Sequence, residues 1–264
     1  MADLDFDYGA DLSEGSGFDR VNPEVGVQYG YLKSVVHLGK IAGNFEGKAK
    51  DPTNRVSLNF ELMGNLAGED ADDYISGLHP ETGEPLTQPV IVNLTKGDNA
   101  FLTKVMGALI SKKEMEAGTV KGWEPLIGRA VTLDIKGSKS LKDGKPEYVD
   151  IKGISQFPSA LKPLATGIKH AGVGHVLLKD LTKEALEEVN MYLGVQKGMM
   201  ESEEWKAGTH PAIALVEEIR KDNPNYAKAT GKGDKPADGA QGATGGAQQQ
   251  QGAPAETVSG NEEF

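Results

Sequence analysis

The sequence predicts a mainly β domain, a curved sheet of five strands with one helix between the third and fourth. Three observations predict it. Apolar and polar residues alternate cleanly along 55–62, as in a strand with one buried face. Glycines stand at both ends of the segment 26–39 and inside it, which is typical of a strand that bends at the corner of a small barrel. Helical spacing of apolar residues occurs between two β segments, along 99–111.

Turn and loop signals separate the predicted elements from one another. The predicted strands are 26–39, 55–62, 89–95, 129–136 and 146–153. Residues 45–54 read as a turn-rich loop, and the acidic insertion 64–85 reads as a second loop. Asp98 or Gly97 is placed to cap the helix, and Asp143-Gly144 predicts a hairpin turn between the last two strands. This order is typical of an oligonucleotide/oligosaccharide-binding barrel, although a small β-sandwich gives a similar strand list.

Composition divides the chain into four parts. An acidic arm covers 1–24, the barrel covers 25–158 and a helical accessory covers 159–226, with helices predicted at 182–193 and 212–221. The Gly- and Gln-rich tail 227–264 has too little apolar area to offset the entropy lost on folding, so we expect it and the arm to be disordered.

Charge and composition limit the possible functions. The absence of cysteine excludes thiolate nucleophiles and thiolate metal sites, and no apolar run approaches the roughly 18 residues that a membrane helix needs. We expect a soluble, intracellular protein. The net charge of −11 argues against a polyanionic ligand, but the segment 25–152 carries 17 acidic and 16 basic side chains, and six of those acids crowd the insertion 64–85. The rest of the predicted barrel is therefore basic, and a polyanion responds to this local potential.

Strand parity predicts which side chains face outward. If Val131, Leu133 and Ile135 fill the core, the bases and aromatic rings of neighbouring strands share the outer face. This suits single-stranded nucleic acid, because lysine and arginine follow phosphates and each base can stack on an aromatic ring. The candidate contacts are Tyr29, Tyr31, Lys33, Arg55, Lys136, Lys139, Lys142, Lys145, Tyr148 and Lys152.

Other interpretations remain open at this point. Tyr29 and Tyr31 also fit core positions with their hydroxyls at the rim, and the lysine-rich turn 137–145 also fits a simple solvated loop. Trp123 is better explained as a loop anchor than as a stacking platform. No phosphate-binding loop, dinucleotide fingerprint or zinc-protease motif occurs, and His170 and His175 flank small residues only, which favours an exposed loop over a metal site. We therefore expect a protein that is not an enzyme and needs no cofactor.

The segment from Gly26 to Gly39, the strand 55–62, the helix near 98–111 and the strand pair at 129–136 and 146–153 together resemble bacteriophage single-stranded DNA-binding proteins of the barrel type. The tether that ends in Glu262, Glu263 and Phe264 is similar to the acidic, phenylalanine-terminated tails of that family. Only two acids precede the phenylalanine, fewer than is common there, and the helical segment 178–222 has no counterpart that we can match.

The resemblance implies sequence-independent binding and protection of single-stranded DNA in phage DNA replication, recombination and repair. It also implies that Glu262, Glu263 and Phe264 recruit replication and recombination proteins, in the cytoplasm of a bacterial host. A homo-oligomer is possible. Alternatives are a recombination mediator or adaptor that binds mainly protein, a virion or assembly protein, and an oligosaccharide-binding barrel.

Overall fold

A long β-hairpin dominates the fold. The structure, a computed structural model, describes residues 10–11, 19–45, 48–95, 97, 100–165, 174–188 and 198–222. Strand β3 spans Gly26–Phe45 and strand β4 spans Lys48–Gly64, and the two pair antiparallel over most of their length. The predicted loop at 45–54 is therefore wrong for residues 48–54, because backbone pairing with β3 outweighs their weak local pattern.

The remaining strands are shorter. Two small ones precede the hairpin, and the others follow it: β1 Ala10–Asp11, β2 Asp19–Arg20, β5 Thr87–Asn93, β6 Ala130–Gly137, β7 Leu141–Lys142, β8 Lys145–Pro146, β9 Val149–Gln156 and β10 Gly174–Val176. Within the described residues, the helices of at least six residues are α1 Phe101–Leu109, α2 Lys112–Ala117, α3 Lys183–Glu188 and α4 Ala212–Asp222. Shorter helical turns lie at 124–126, 159–161, 162–165, 178–180 and 203–206.

The main sheet has the order β5-β4-β3-β6-β9, with every neighbouring pair antiparallel, and β10 adds to β3 in parallel. In chain order β3, β4 and β5 are consecutive neighbours, and β6 returns to pair with the free side of β3. This arrangement is a Greek key. Within the described residues the sheet is not closed into a barrel, because β5 and β9 share no backbone ladder. The prediction of a mainly β fold is confirmed, and the expected closure into a barrel is not found.

The main hydrophobic core lies between the inner face of this sheet and α1. Alternate side chains of β4 and β6, including Leu58, Phe60 and Leu133, are fully buried. Helix α1 supplies Val105 and Leu109, two of the positions that its helical spacing predicted. Ile110 leaves the helical conformation, and Ser111 then caps α2 with a reciprocal Ser–Glu capping box. Asp98, the predicted cap of α1, lies outside the described residues.

A second hydrophobic cluster joins the C-terminal segment 174–222 to the opposite, outer face of the sheet. Val36 and Leu38 of β3 pack there with Leu186, Met199 and Val216, all nearly inaccessible to solvent. Thr182 caps the start of α3, since the Ala185 amide donates to Thr182 Oγ1 over 3.2 Å. The sequence did not show which surface this segment covers.

The chain divides into two compact units, Met1–Thr230 and Gly231–Phe264. The second unit and the three residues Glu262, Glu263 and Phe264 lie outside the described part of the chain. Among the helices that the structure describes, none is long and apolar enough to cross a lipid bilayer.

Candidate nucleic-acid interface

The outer face of β3, β6 and β9 carries several of the predicted contact residues. Val131, Leu133 and Ile135 are fully buried, as predicted, so Lys136 points away from the core. Asp150 stands directly opposite Lys136 in the β6–β9 ladder, and Lys152 lies two residues further along β9. The structure thus brings Lys136 and Lys152 onto one open face.

Acidic side chains balance the charge of this face. Lys136 Nζ lies 2.9 Å from Asp134 Oδ1, and Lys152 Nζ lies 2.8 Å from Asp150 Oδ2. The two lysines are 59 % exposed and the two aspartates 38 % and 56 %, so water screens both pairs and they contribute little to stability. The expected strip of positive charge is therefore two lysines alternating with two aspartates, a neutral pattern. Opposite charges two residues apart in a strand share a face, so the sequence did carry this signal.

The three predicted tyrosines have different environments. Tyr29 is half-buried and meets Phe157 edge-on, with ring centroids 5.2 Å apart. Tyr31 is only 3 % exposed, and its hydroxyl donates to the Ala165 carbonyl oxygen over 2.7 Å. Burial and the Glu61 carboxylate raise the pKa of Tyr31. The Tyr31 ring thus faces protein on nearly all sides, and its stacking on a base stays a prediction.

The turn between β6 and β9 is the most accessible collection of predicted contacts. We call residues 137–148 the lysine hairpin. Asp143 and Gly144 both have positive φ, 53° and 78°, so the predicted two-residue turn is confirmed. Lys142 and Lys145 pair across β7 and β8, and Lys139 precedes them. All three lysines are exposed.

Apolar side chains accompany these lysines. Leu141 is 65 % exposed and Tyr148 is 49 % exposed. The base of the lysine hairpin is well ordered by hydrogen bonds, since the Ser138 amide donates to the Tyr148 carbonyl over 2.8 Å. Asn22 adds two more, from its Nδ2 to the carbonyl oxygens of Pro146 and Glu147, each over 3.0 Å. The lysine hairpin is thus an anchored projection with basic and aromatic side chains.

Lys33 and Arg55 lie apart from this surface. Lys33 Nζ is 3.3 Å from Glu61 Oε2 in a largely buried pair. Arg55 donates from Nη2 to the Ala42 carbonyl oxygen over 3.1 Å. In the ladder Arg55 is opposite Gly39, whereas Tyr29 is opposite Gly64. Ten strand positions separate Tyr29 from Gly39, a length of about 30 Å at 3.3 Å per residue. The expectation that Arg55 joins the hairpin lysines is therefore not met.

The outer face of β4 is buried instead of open. Ser57 and Asn59 are at most 1 % exposed, and so is Ser34 beside them on β3. Ser57 Oγ donates to Asn59 Oδ1, and Asn59 Nδ2 donates to Ser34 Oγ, each over 2.9 Å. These groups satisfy one another, as buried polar groups must. The alternating pattern of β4 correctly separated two faces but did not reveal that both are covered.

A cleft of about 500 Å³ opens between the start of β6 and the turn from α1 to α2. Arg129 crosses it and binds Glu114 through two nitrogen–oxygen contacts of 3.1 and 2.9 Å. The same guanidinium donates to the carbonyl oxygens of Leu109 and Pro125. Hydrogen bonds from Arg129 and then from Ser111 lower the pKa of Glu114 to about 2. Both charged groups are thus engaged with protein, and they act as a clamp between β6 and α2.

A chain of polar side chains links β10 to the sheet. His37 Nε2 lies 3.0 Å from His175 Nε2, and His175 Nδ1 lies 2.8 Å from Glu124 Oε1. The ring centroids are 5.2 Å apart, so the two nitrogens point almost at each other, as in an N–H···N hydrogen bond. Burial, with a smaller effect of His175, lowers the pKa of His37. The expected exposed loop at His175 is corrected to a paired strand whose imidazole is largely buried.

Within the described residues no group of three or more His, Asp or Glu side chains is placed to hold a metal ion. Comparison of the chain with protein-family models, with curated proteins and with solved structures finds no match. Any conclusion on function therefore depends on the residues themselves.

Proposed function

We propose that this chain is a single-stranded DNA-binding protein without enzymatic activity, of the oligonucleotide-binding barrel type found in bacteriophages. It binds DNA without sequence preference and protects exposed strands in replication, recombination and repair. Glu262, Glu263 and Phe264 recruit partner proteins.

The observation that supports this most is the lysine hairpin. It joins the fourth and fifth strands of the Greek-key sheet, and in oligonucleotide-binding barrels this loop is one of the recurrent binding elements. It places Lys139, Lys142 and Lys145 beside exposed Tyr148, the two chemistries that hold unpaired nucleotides. Neither reads base edges, so the binding is indifferent to sequence.

The arrangement favours a particular binding track. In barrels of this type the second and third strands also take part in binding, but here the outer face of β4 is covered. The track that remains runs from the lysine hairpin along the open face of β6 and β9, past Lys136 and Lys152. Partial opening of the sheet is compatible with this fold type, which is described as a partly open barrel.

A titration of the full chain with nucleic acid tests the proposal. We expect a homopolymeric single strand to quench the tyrosine fluorescence to saturation, since Tyr148 stacks on a base, while a duplex of equal length produces weaker quenching. Raising the salt concentration must weaken the binding, because counterions are released from the phosphates. Equal affinity for both forms, or no binding to either at low salt, would overturn the proposal.

The second candidate is a recombination mediator or adaptor that binds mainly protein. The balanced charges of Asp134, Lys136, Asp150 and Lys152 favour it, since alternating charge suits a protein partner better than a polyanion. Under this alternative, single-stranded DNA binds weakly and with little dependence on salt.

A further inference from the structure

The chain that precedes the sheet starts at the base of the lysine hairpin. Asn22 is held there by its two hydrogen bonds to the carbonyl oxygens of Pro146 and Glu147. Strands β1 and β2 pair with Ala10 opposite Arg20, only two residues before Asn22. Paired residues are about 5 Å apart, so the residues before Ala10 join the chain close to the lysine hairpin.

Residues 3–8 alternate acidic and apolar side chains, much as single-stranded DNA alternates phosphates and bases. Residues 3–8 read Asp-Leu-Asp-Phe-Asp-Tyr, so each acid is followed by an apolar or aromatic side chain. Unpaired DNA likewise presents anionic phosphates with flat bases between them.

The lysine hairpin offers the complementary groups. Residues 137–148 contain three lysines, Lys139, Lys142 and Lys145, against two acids, Asp143 and Glu147. Residues 1–18 contain five acids and no lysine or arginine. Leu141 and Tyr148 provide exposed apolar surface for the Leu4, Phe6 and Tyr8 side chains.

We propose that residues 3–8 dock on the lysine hairpin and compete there with single-stranded DNA. The docking itself depends only on the two segments, and the competition depends on the proposed function. A short tether makes such docking effective although each contact is weak, because the local concentration of a linked segment reaches the millimolar range. Screening by salt must release the segment, since exposed ion pairs hold it.

Lysine acetylation of the full chain without DNA tests the docking. We compare the triple variant Asp3→Asn, Asp5→Asn, Asp7→Asn with a control of equal charge, Asp70→Asn, Asp72→Asn, Asp73→Asn, in the exposed acidic insertion. We expect the acetylation rates of Lys139, Lys142 and Lys145 to rise by about twofold or more in the first variant only, at low salt. Lys113, exposed on α2, serves as the internal reference. Equal rates in the two variants at low salt would overturn the docking.

Two further arms separate the possible outcomes. If Glu262→Gln, Glu263→Gln exposes the hairpin lysines and the Asp3/Asp5/Asp7 variant does not, the occupant is the C-terminal tail and the proposal is wrong. For the competition, we expect the Asp3/Asp5/Asp7 variant to bind an oligothymidylate about threefold more tightly than the control at low salt, with the difference lost at high salt. If no variant binds DNA, the proposed function fails, while the acetylation result still decides the docking.

Discussion

Gln88 connects two strands at opposite edges of the sheet: its side-chain Nε2 donates to the Val149 carbonyl oxygen over 3.1 Å. Gln88 belongs to β5 and Val149 begins β9, and both are at most 2 % exposed. A polar side chain thus bridges the gap where a closed barrel would have a backbone ladder.

This bridge predicts the effect of replacing Gln88 by leucine. The change leaves the buried Val149 carbonyl without this donor, so we expect a loss of about 1–3 kcal/mol in the free energy of unfolding, measured by urea denaturation. Thr87→Val, on the half-buried outward side of the same strand, is the control, and we expect it to have little effect. Equal effects of the two changes would show that the bridge does not stabilise the edges.

The Glu114–Arg129 clamp predicts a pH dependence of stability. The pKa of Glu114 in the folded state, about 2, lies below the ordinary value of 4.5. Its contribution to the free energy of unfolding is therefore complete above pH 4.5 and is lost as the pH falls through 2. We expect Glu114→Gln to lower the urea midpoint at pH 7, with the difference from wild type shrinking below pH 4.5. Glu116→Gln, on the same helix, is the control, because Glu116 pairs only loosely with Lys112, at 3.9 Å between largely exposed groups. A midpoint difference for Glu114→Gln that persists to pH 2 would contradict the clamp.

The burial of His210 predicts a second dependence of stability on pH. It is 3 % exposed, its Nε2 faces the Leu38 carbonyl oxygen at 3.2 Å, and its Nδ1 accepts from the Ala212 amide. Burial lowers its pKa, so the folded state binds fewer protons and stability falls as the pH drops below 6.5. We expect His210→Gln to be less stable at pH 7.5 but to lose less on acidification to pH 5.5. An unchanged slope of unfolding free energy against pH would contradict this.

We expect substitution by alanine to have opposite effects on stability at two glycines. Gly39 has φ of +100°, and an added Cβ would lie 2.5 Å from Glu204 Oε2. We expect Gly39→Ala to destabilise by about 1–3 kcal/mol through backbone strain and this close approach. Gly107 lies within α1 with open space around it, so Gly107→Ala should stabilise by about 0.5–1 kcal/mol. Thermal unfolding of both variants gives the comparison, and shifts of the same sign would contradict it.

Substitutions at Tyr148 and Tyr31 should affect DNA affinity differently. Tyr148 is exposed on the lysine hairpin, so Tyr148→Ala should weaken binding of a single strand by about 1–3 kcal/mol, the range for stacking on one base. Tyr31→Phe removes only a hydroxyl bound to Ala165 and should leave the affinity unchanged. Equal losses in a fluorescence anisotropy titration would contradict the assignment of the binding surface.

The sequence predicted the sheet where local pattern decides structure. Alternation in β4 and β6, helical spacing in α1 and the Asp143-Gly144 turn all persist in the fold, because each depends on neighbours in sequence. The extension of the long hairpin to residues 40–54 could not be predicted, since pairing between strands and not composition holds those residues.

The candidate site was less predictable for a similar reason. Tyr31 follows the same parity as Tyr29, yet the carbonyl oxygen of Ala165, 134 residues away in sequence, accepts a hydrogen bond from its hydroxyl. The cover over Ser57 and Asn59 likewise depends on distant packing. Local parity assigns a side chain to a face of the sheet, but only tertiary contacts decide whether that face is open.

The most direct test of the proposed function is the salt dependence of oligothymidylate binding by the triple variant Lys139→Ala, Lys142→Ala, Lys145→Ala. Its control, Lys112→Ala, Lys113→Ala, Lys121→Ala, removes equal charge from the exposed region around α2. We expect the hairpin variant to bind at least tenfold more weakly and its log–log slope against salt to become shallower by about 2, at roughly 0.7 per phosphate contact. An affinity and a slope equal to those of the control variant would contradict the account.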